Sequence, residues 1–594
     1  MRRYESIYHN LDGFFPVAPA PEAREKIKKD LANLRKKAPE YLAKSLGSVG
    51  RRSPGFNDGL IFPGDLYPVG TPVHKIRSAA ADRAPLRGTI RVIVVLVQFS
   101  DKAMSQTKQH FQDLFFSTNV LPHGSVRDYY REVSNNLIDI TGEVVGPYKL
   151  PLKLKDYAHG ESGTGNVLPN ARTMAKDAAV AANPDVNFGP YDNDGNGFVD
   201  AFIVIHAGRG AEETLSADDI WSHKWLLPGG SYNADNTKIY AYLTVPEDAR
   251  VGVCCHELGH LLFGWPDLYD IDEGAVSEGI GNWCLMASGS WGGNGDIPVH
   301  PSAWCKANQG WASVNVVTSN AQININDVKN SKIVYKLWKN GAPGTEYFLL
   351  ENRQKTLFDQ SLPGAGLLIW HVDDSIATNQ NDVHMKVALE QADNKRDLEL
   401  GKNRGDAGDP FPGSSNKTTF DKASTPGSKS YANADTCVAV TNISPAGAVM
   451  TAKLSVQCLK PLKEAGGKEF TSKERLGKEL GKNELGKEII KERKDIRDHW
   501  PSSKNPKDQS DSSYSPRKFS TAPGGMTLGL EPPVDLETRV AMLEARLVGI
   551  EPFIDASIRP DLRQSALASE EDLENLNAQM EEEAAKAKFC RDTM

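Results

Sequence analysis

No apolar stretch among the 594 residues approaches the roughly 20 that a helix needs to cross a bilayer, so a transmembrane span is not expected. Nor does an apolar core follow the basic residues of Met1-Arg-Arg-Tyr-Glu-Ser-Ile-Tyr-His9, so no secretory signal peptide is read there. Positive charge is not in excess. The 69 Lys and Arg stand against 77 Asp and Glu, and the formal net charge of −8 leaves no electrostatic footprint for nucleic acid. Cysteine is scarce and odd in number, seven in all, which excludes a dense disulfide framework and leaves the compartment open. Cys254 and Cys255 read as buried in a helix, and Cys284 and Cys305 fall around Met286. Cys437 and Cys458 are candidates to staple strands near the end of the globular part, and Cys590 is left over. A hydrophobic fraction of 39% with 25% charged residues is that of a globular protein carrying polar extensions, and the length implies several domains.

What is present is concentrated at 256–267, His-Glu-Leu-Gly-His-Leu-Leu-Phe-Gly-Trp-Pro-Asp. On a helix of 3.6 residues per turn, His256 and His260 at i and i+4 face the same way and can offer a ring nitrogen each to one zinc ion. Glu257 then lies beside the metal's open position, where a carboxylate serves as general base toward a water attacking a carbonyl carbon. Val251-Gly-Val-Cys-Cys255 is small and apolar and reads as the buried start of the same helix. Gly264 and Pro266 supply a turn that returns Asp267 to the metal as third ligand, with Asp270 and Glu278 as alternatives. A structural helix whose histidines hydrogen-bond inside a core is the competing reading.

His256-Glu-Leu-Gly-His260 followed by Gly264-Trp-Pro-Asp267-Leu-Tyr-Asp270 resembles the immune inhibitor A family of secreted metallopeptidases, which are similar to metzincins. The usual spacing there puts the Gly three residues, and the third ligand six, after the second His; here Gly264 and Asp267 fall one residue later. Gly281-Asn-Trp-Cys-Leu-Met286-Ala-Ser-Gly-Ser-Trp291 resembles the family's Met-turn, which implies that Met286 forms an apolar floor under the metal without ligating it. Pro301 to Trp311 resembles the helix that follows, and Tyr347 to Arg353 and Gly364 to Asp373 resemble later family strands. The resemblance implies a zinc metalloendopeptidase acting on protein or peptide substrates, and export from the cell, which the missing signal peptide does not support. A zinc amidase acting on a non-protein substrate, and a binding or adhesion protein with a vestigial zinc site, are the alternatives.

A second metal site is expected at Asp192-Asn-Asp194-Gly-Asn196-Gly197-Phe198-Val-Asp200. Asp192, Asp194, Asn196 and Asp200 occupy loop positions 1, 3, 5 and 9, Gly197 permits the bend at 6, and Phe198 offers a backbone carbonyl at 7. Calcium takes six to eight oxygens and suits such a loop. Position 12 is Ile203, so the usual bidentate Glu is missing, and a strand at Ala201–Ile205 suggests a structural ion pinned to a sheet edge. An Asp- and Gly-rich turn with no ion is the bland alternative. Asp393, Asp406 and Asp409 form a further candidate cation site.

The expected architecture is α/β, a metzincin-like zinc peptidase domain with a mixed sheet, then a β-sandwich-like domain and a largely disordered tail. Residues 1–88 are read as a prosegment, with a charged helix from about Glu22 to Leu46, or as an ordered extension. Having no cysteine to cap a metal, this segment would use a carboxylate such as Asp58 or Asp65. Residues 89–312 open on the continuous apolar run Thr89–Phe99, typical of a doubly buried strand, and continue with helices near Ser125–Ser134 and Ala171–Ala182. Short strands separated by Gly, Pro, Asn and Asp clusters follow over 313–457. Residues 458–530 are Lys-, Glu-, Ser- and Pro-rich and read as a disordered linker. In the helical segment 531–594, Leu536, Val540, Leu543, Leu547 and Ile550 form a short heptad seam suited to weak self-association or to docking on the body.

Overall fold

A computed structural model describes residues 15–26, 28–29, 86–270 and 277–458. Asp58 and Asp65, most of the expected helix at 22–46, the linker and the heptad seam lie outside the described residues; 21–26 and 28–29 are helical.

The chain begins with β1 (Phe15–Pro16) and β2 (Gly88–Gln98), followed by α1 (Lys108–Phe116), α2 (Val126–Val133), β3 (Ile138–Lys149), α3 (Ala171–Ala182) and β4 (Phe202–His206). Next come β5 (His223–Leu226), the small hairpin β6 (Tyr232–Ala234) and β7 (Thr237–Ile239), β8 (Ala241–Pro246), α4 (Val251–Phe263) and α5 (Ala303–Asn308). Six strands form one sheet in the order β1-β5-β8-β4-β2-β3. Its β8, β4, β2 and β3 are parallel, β5 runs antiparallel to β8, and β1 antiparallel to β5.

The apolar run of β2 explains its central place. Val92, Val94 and Leu96 enter one core while Ile93, Val95 and Val97 enter another, so both faces need cover, as in parallel sheets generally. Helices α1, α2 and α4 cover the first face and α3 the second. The α2 helix starts where Ser125 and Asp128 close a capping box, and α3 where the Asn170 side chain accepts from the Arg172 and Thr173 amides. The expected strand at 201–205 is observed at Phe202–His206; the acidic loop is closed by the Asp200 amide donating to the Tyr191 carbonyl at 3.0 Å, and the Ala201 carbonyl already accepts from Ile93 of β2.

Beyond α5 lie β9 (Ser313–Val316), β10 (Ala321–Asn326), β11 (Ile333–Leu337), β12 (Glu346–Arg353), β13 (Gly366–Asp373), β14 (Val387–Leu389), β15 (Ala439–Thr441) and β16 (Val449–Ser455). They form a five-stranded sheet, β14-β13-β12-β11-β9, and a three-stranded one, β10-β16-β15. Alternation along β12 divides its side chains. Phe348 and Leu350 share a core with the three-stranded sheet, while Tyr347 and Leu349 join the core that contains α4. A disulfide between Cys437 and Cys458 ties the start of the β15 region to the end of β16.

The end of β12 is anchored by charge. The Arg353 guanidinium forks onto the Asp359 carboxylate, with Nε at 2.7 Å from Oδ2, and both groups are fully buried. Asp359 also accepts from the His300 amide at 2.9 Å and pairs with Lys329 at 3.3 Å, which holds its carboxyl well below the usual range despite burial. Removing one partner strands the others, so Asp359→Ala should cost about 3–5 kcal/mol of stability. Denaturant unfolding measures this, and a loss under about 1 kcal/mol would show that the pair behaves as a solvated one.

Candidate metal centre

All thirteen residues of α4 are buried, an apolar cylinder into which the sequence places His256, Glu257 and His260. The helix ends at Gly264, which takes a left-handed cap at φ 65° and turns the chain back along the last turn. That reversal delivers Asp267. Its Oδ1 lies 3.1 Å from His256 Nε2 and 3.2 Å from His260 Nε2, and the two Nε2 atoms are 3.0 Å apart. Three ligands bonded at 2.0–2.1 Å to one tetrahedral zinc ion stand about 3.3 Å from each other, so this near-equilateral triangle has the right dimensions.

The surroundings fit a cation too. His256 Nδ1 donates to the Leu285 carbonyl at 2.9 Å and His260 Nδ1 to the Trp265 carbonyl at 2.6 Å, which leaves both Nε2 lone pairs aimed at the centre. Asp267 Oδ2 is buried with no hydrogen-bond partner. Glu257 is fully buried with no hydrogen bond of ordinary geometry to its carboxylate oxygens, and Lys224 is the favourable neighbour beside it. Burial, with the neighbouring Asp267 and Glu212 carboxylates adding to it, pushes the Glu257 carboxyl well above its ordinary range. Burial pulls the His260 imidazole down, whereas Asp267, though buried, is held low by the two imidazoles. A pocket this rich in buried carboxylate is stabilised by a divalent ion.

Met286 lies beneath, fully buried. A Cβ added to Gly259, between the two histidines, would come within 2.7 Å of its sulfur and 3.1 Å of the Trp265 ring. Only glycine lets the helix sit this close to that floor. The Leu268 amide donates to the Met286 carbonyl at 2.8 Å, tying the segment that carries Asp267 to the same loop.

Of the two alternative third ligands, Glu278 faces other partners. It meets Arg24 at 3.5 Å, Arg404 at 3.7 Å and Lys28. Asp270 is buried but is not one of the converging three. His223 lies between the Trp221 carbonyl and the Tyr242 hydroxyl, His300 pairs with Glu132, and His371 bridges Glu346 and Glu390.

In the acidic loop, carboxylate oxygens of Asp192, Asp194 and Asp200 lie within 4.8 Å of one another. Asn196 and Phe198 shape the turn. The Asn196 amide donates to Asp192 and Asp194, and its Oδ1 accepts the Phe198 amide at 2.8 Å. Asp393, Asp406 and Asp409 also converge, with Lys395 2.7 Å from Asp393 already supplying a positive charge; burial pushes Asp409 up to about 7.

The site has neighbours that no motif announced. Strand β5 runs beside α4, and β1 pairs with its outer edge, Phe15 opposite Lys224 and Pro16 opposite His223. Trp221 and Trp291 donate their indole N–H to the Val17 and Ala18 carbonyls, each at 2.9 Å, and the Tyr269 hydroxyl donates to the Pro16 carbonyl. Arg24 and Lys28 then clamp the segment to Glu278. A two-residue strand leaves no periodicity to read, and the partners are mostly backbone atoms.

Residues 86–317 match the family described as immune inhibitor A peptidase M6, catalytic domain. This part of the chain is therefore similar to the catalytic domain of M6 metallopeptidases. The pre-pro-metalloprotease PrtV of Vibrio cholerae serotype O1 is 32% identical over 287 residues, 39% of this chain and 31% of that protein. Immune inhibitor A of Bacillus thuringiensis subsp. alesti is 29% identical over 271 residues, 37% of this chain and 39% of that protein. The chain thus spans between 31% and 39% of the length of these curated relatives. The matched residues hold five strands of the six-stranded sheet, all but β1, together with His256, His260 and Asp267.

The triangle predicts about one equivalent of tightly held zinc per chain. His256→Ala should reduce it to trace levels by elemental analysis while the far-UV circular dichroism of the folded chain persists. Full zinc retention by that variant would place the ion elsewhere.

Proposed function

We propose that the protein is a zinc-dependent endopeptidase in which His256, His260 and Asp267 hold the metal and Glu257 is the general base. The observation that carries this reading is the buried Glu257 carboxylate, adjacent to the ligand triangle with neither oxygen satisfied. Zinc, when bound, supplies a Lewis acid that lowers the pKa of water to about 7 and polarises the scissile carbonyl. Glu257 takes the proton of the attacking water and returns it to the departing amine nitrogen. His256 and His260 stay oriented through the Leu285 and Trp265 carbonyls, so the triangle keeps its shape as charge develops. An extended substrate chain is held along the edge of β5, where main-chain hydrogen bonds give grip that is indifferent to sequence.

On this reading the catalytic domain is metzincin-like and the module over 313–457 is β-sandwich-like. The domain limits at 88, 312, 457 and 530 follow from it, the protein acts outside the cell, and calcium at Asp192, Asp194 and Asp200 is structural. Glu257→Gln should lower casein hydrolysis by about 10²–10⁴-fold with zinc content unchanged. Undiminished cleavage would remove Glu257 from the mechanism. Cleavage of a peptidoglycan or small amide but of no protein would favour the amidase, and no hydrolysis with zinc in place would favour a binding role.

The N-terminal segment acts as a prosegment. Strand β1 already occupies the edge of β5 beside the zinc helix, so a substrate strand and β1 compete for the same backbone groups. Held on the same chain, such a cap works at an effective concentration in the millimolar range. Partial proteolysis that releases residues 1–29 should therefore raise peptide hydrolysis about tenfold or more. An unchanged rate, once mass spectrometry shows the segment gone, would make it a structural extension.

A further inference from the structure

Two buried thiols stand directly behind the metal site, and the proposed mechanism does not use them. Cys284 lies two residues before Met286 and Cys305 sits in α5; both are fully buried and unoxidised, and their side chains are hydrogen-bonding neighbours. The pair is tightly packed. Cys284 Sγ accepts from the Met286 and Ser302 amides, each at 3.3 Å, and the Ser302 hydroxyl lies 3.4 Å from Cys305 Sγ. Burial pushes the Cys284 thiol up, but the hydrogen bonds from Cys305, Met286 and Ser302 outweigh it and hold the group below an ordinary thiol.

We propose that Cys284 and Cys305 form a disulfide site that staples the Met286 loop to α5. The consequence passes through one residue, because Leu285, between Cys284 and Met286, supplies the carbonyl that orients His256. A covalent bond at Cys284 fixes that carbonyl and the methionine floor together. The Cys437–Cys458 bond shows that this chain carries oxidised cysteine elsewhere, as suits an oxidising compartment.

The chemistry is thiol–disulfide exchange with a small external disulfide such as oxidised glutathione. Cys284 thiolate attacks one of its sulfurs and releases a first glutathione thiolate. Cys305 thiolate then attacks the Cys284 sulfur of the mixed disulfide and releases the second. The chain gives up two electrons and two protons, and the external disulfide takes both and leaves as two thiols. Because both sulfurs are buried in the finished fold, exchange happens while the chain folds, before this part of the core closes.

The disulfide stands independently of the peptidase reading; its effect on the metal rests on it. Full-length protein refolded in mixed reduced and oxidised glutathione, then denatured without reductant in excess iodoacetamide, should be alkylated at three of its seven cysteines, Cys254, Cys255 and Cys590. Its proteolytic digest should contain a cross-linked Cys284–Cys305 peptide. Absence of that peptide, with both cysteines alkylated, overturns the proposal. A Cys437→Ser/Cys458→Ser chain isolates the bond's consequence: reduction should speed loss of zinc to a chelator by about tenfold. A present cross-link with an unchanged rate overturns the stapling role, while a present cross-link in a folded protein that binds no zinc overturns the metal reading and leaves the disulfide standing.

Discussion

Everything in this structure is arranged around carboxylates and imidazoles brought together in a buried cluster. His256 and His260 are placed by helix pitch, Asp267 by the reversal at Gly264, and Glu257 by being next in sequence to a ligand. The result is three donor atoms about 3.1 Å apart with further acid beside them. Buried charge of one sign is expensive unless a counter-charge joins it. The helix that carries these groups is otherwise apolar and buried along its whole length, so little of the load falls on bulk solvent. The domain therefore places its most costly feature where a divalent cation would compensate for it.

Holding that feature still is the work of the neighbouring loop. Leu285, Met286 and the residues after Gly264 form a closed circuit. Leu285 accepts from His256, Met286 accepts from Leu268, and Leu268 follows the Asp267 that meets both histidines. A shift in any member moves a ligand. The circuit rests on the five-stranded sheet through the core shared with Leu349, Leu368 and Trp370, and on the buried pairing of Arg353 with Asp359 near His300. Residues far along the chain from the zinc helix thus set its precision.

Legibility followed the physical range of each interaction. The helix with its two histidines and the return of Asp267 beside them were readable because they depend on local pitch, a glycine cap and a short turn, whereas Met286 was placed near them by resemblance alone. The doubly buried β2 was readable because an apolar run with no alternation has few other uses in a strand, and α2 because Ser125 and Ser134 bound it. The mixed α/β architecture follows from those elements. What was not readable depends on groups far apart in sequence, or on backbone atoms that every residue possesses. Lys224 and Glu212 next to Glu257 come from other elements. The Leu285 and Trp265 carbonyls leave no trace in composition, and β1 is too short for a period. Even Glu278, plausible from spacing as a ligand, answers to Arg24, Lys28 and Arg404, three cations that spacing alone cannot locate.

The outer edge of β5 gives the proposed function its regulatory logic. An edge strand presents backbone donors and acceptors that must pair with something or remain solvated. Here they pair with Phe15 and Pro16, and the chain then continues into a buried run, Val17 to Ala20, whose carbonyls are taken by two tryptophan indoles. Side-chain hydrogen bonds to backbone carbonyls do not read sequence, so on the proposed reading an extended substrate would meet the same tryptophans and the same strand edge. The N-terminal segment has an advantage over such a chain because it is tethered and carries Arg24 and Lys28 to Glu278. A substrate gains the shared contacts but not the clamp. On the proposed reading, release of the tether shifts the competition without remaking the site, because the shared contacts are to backbone groups.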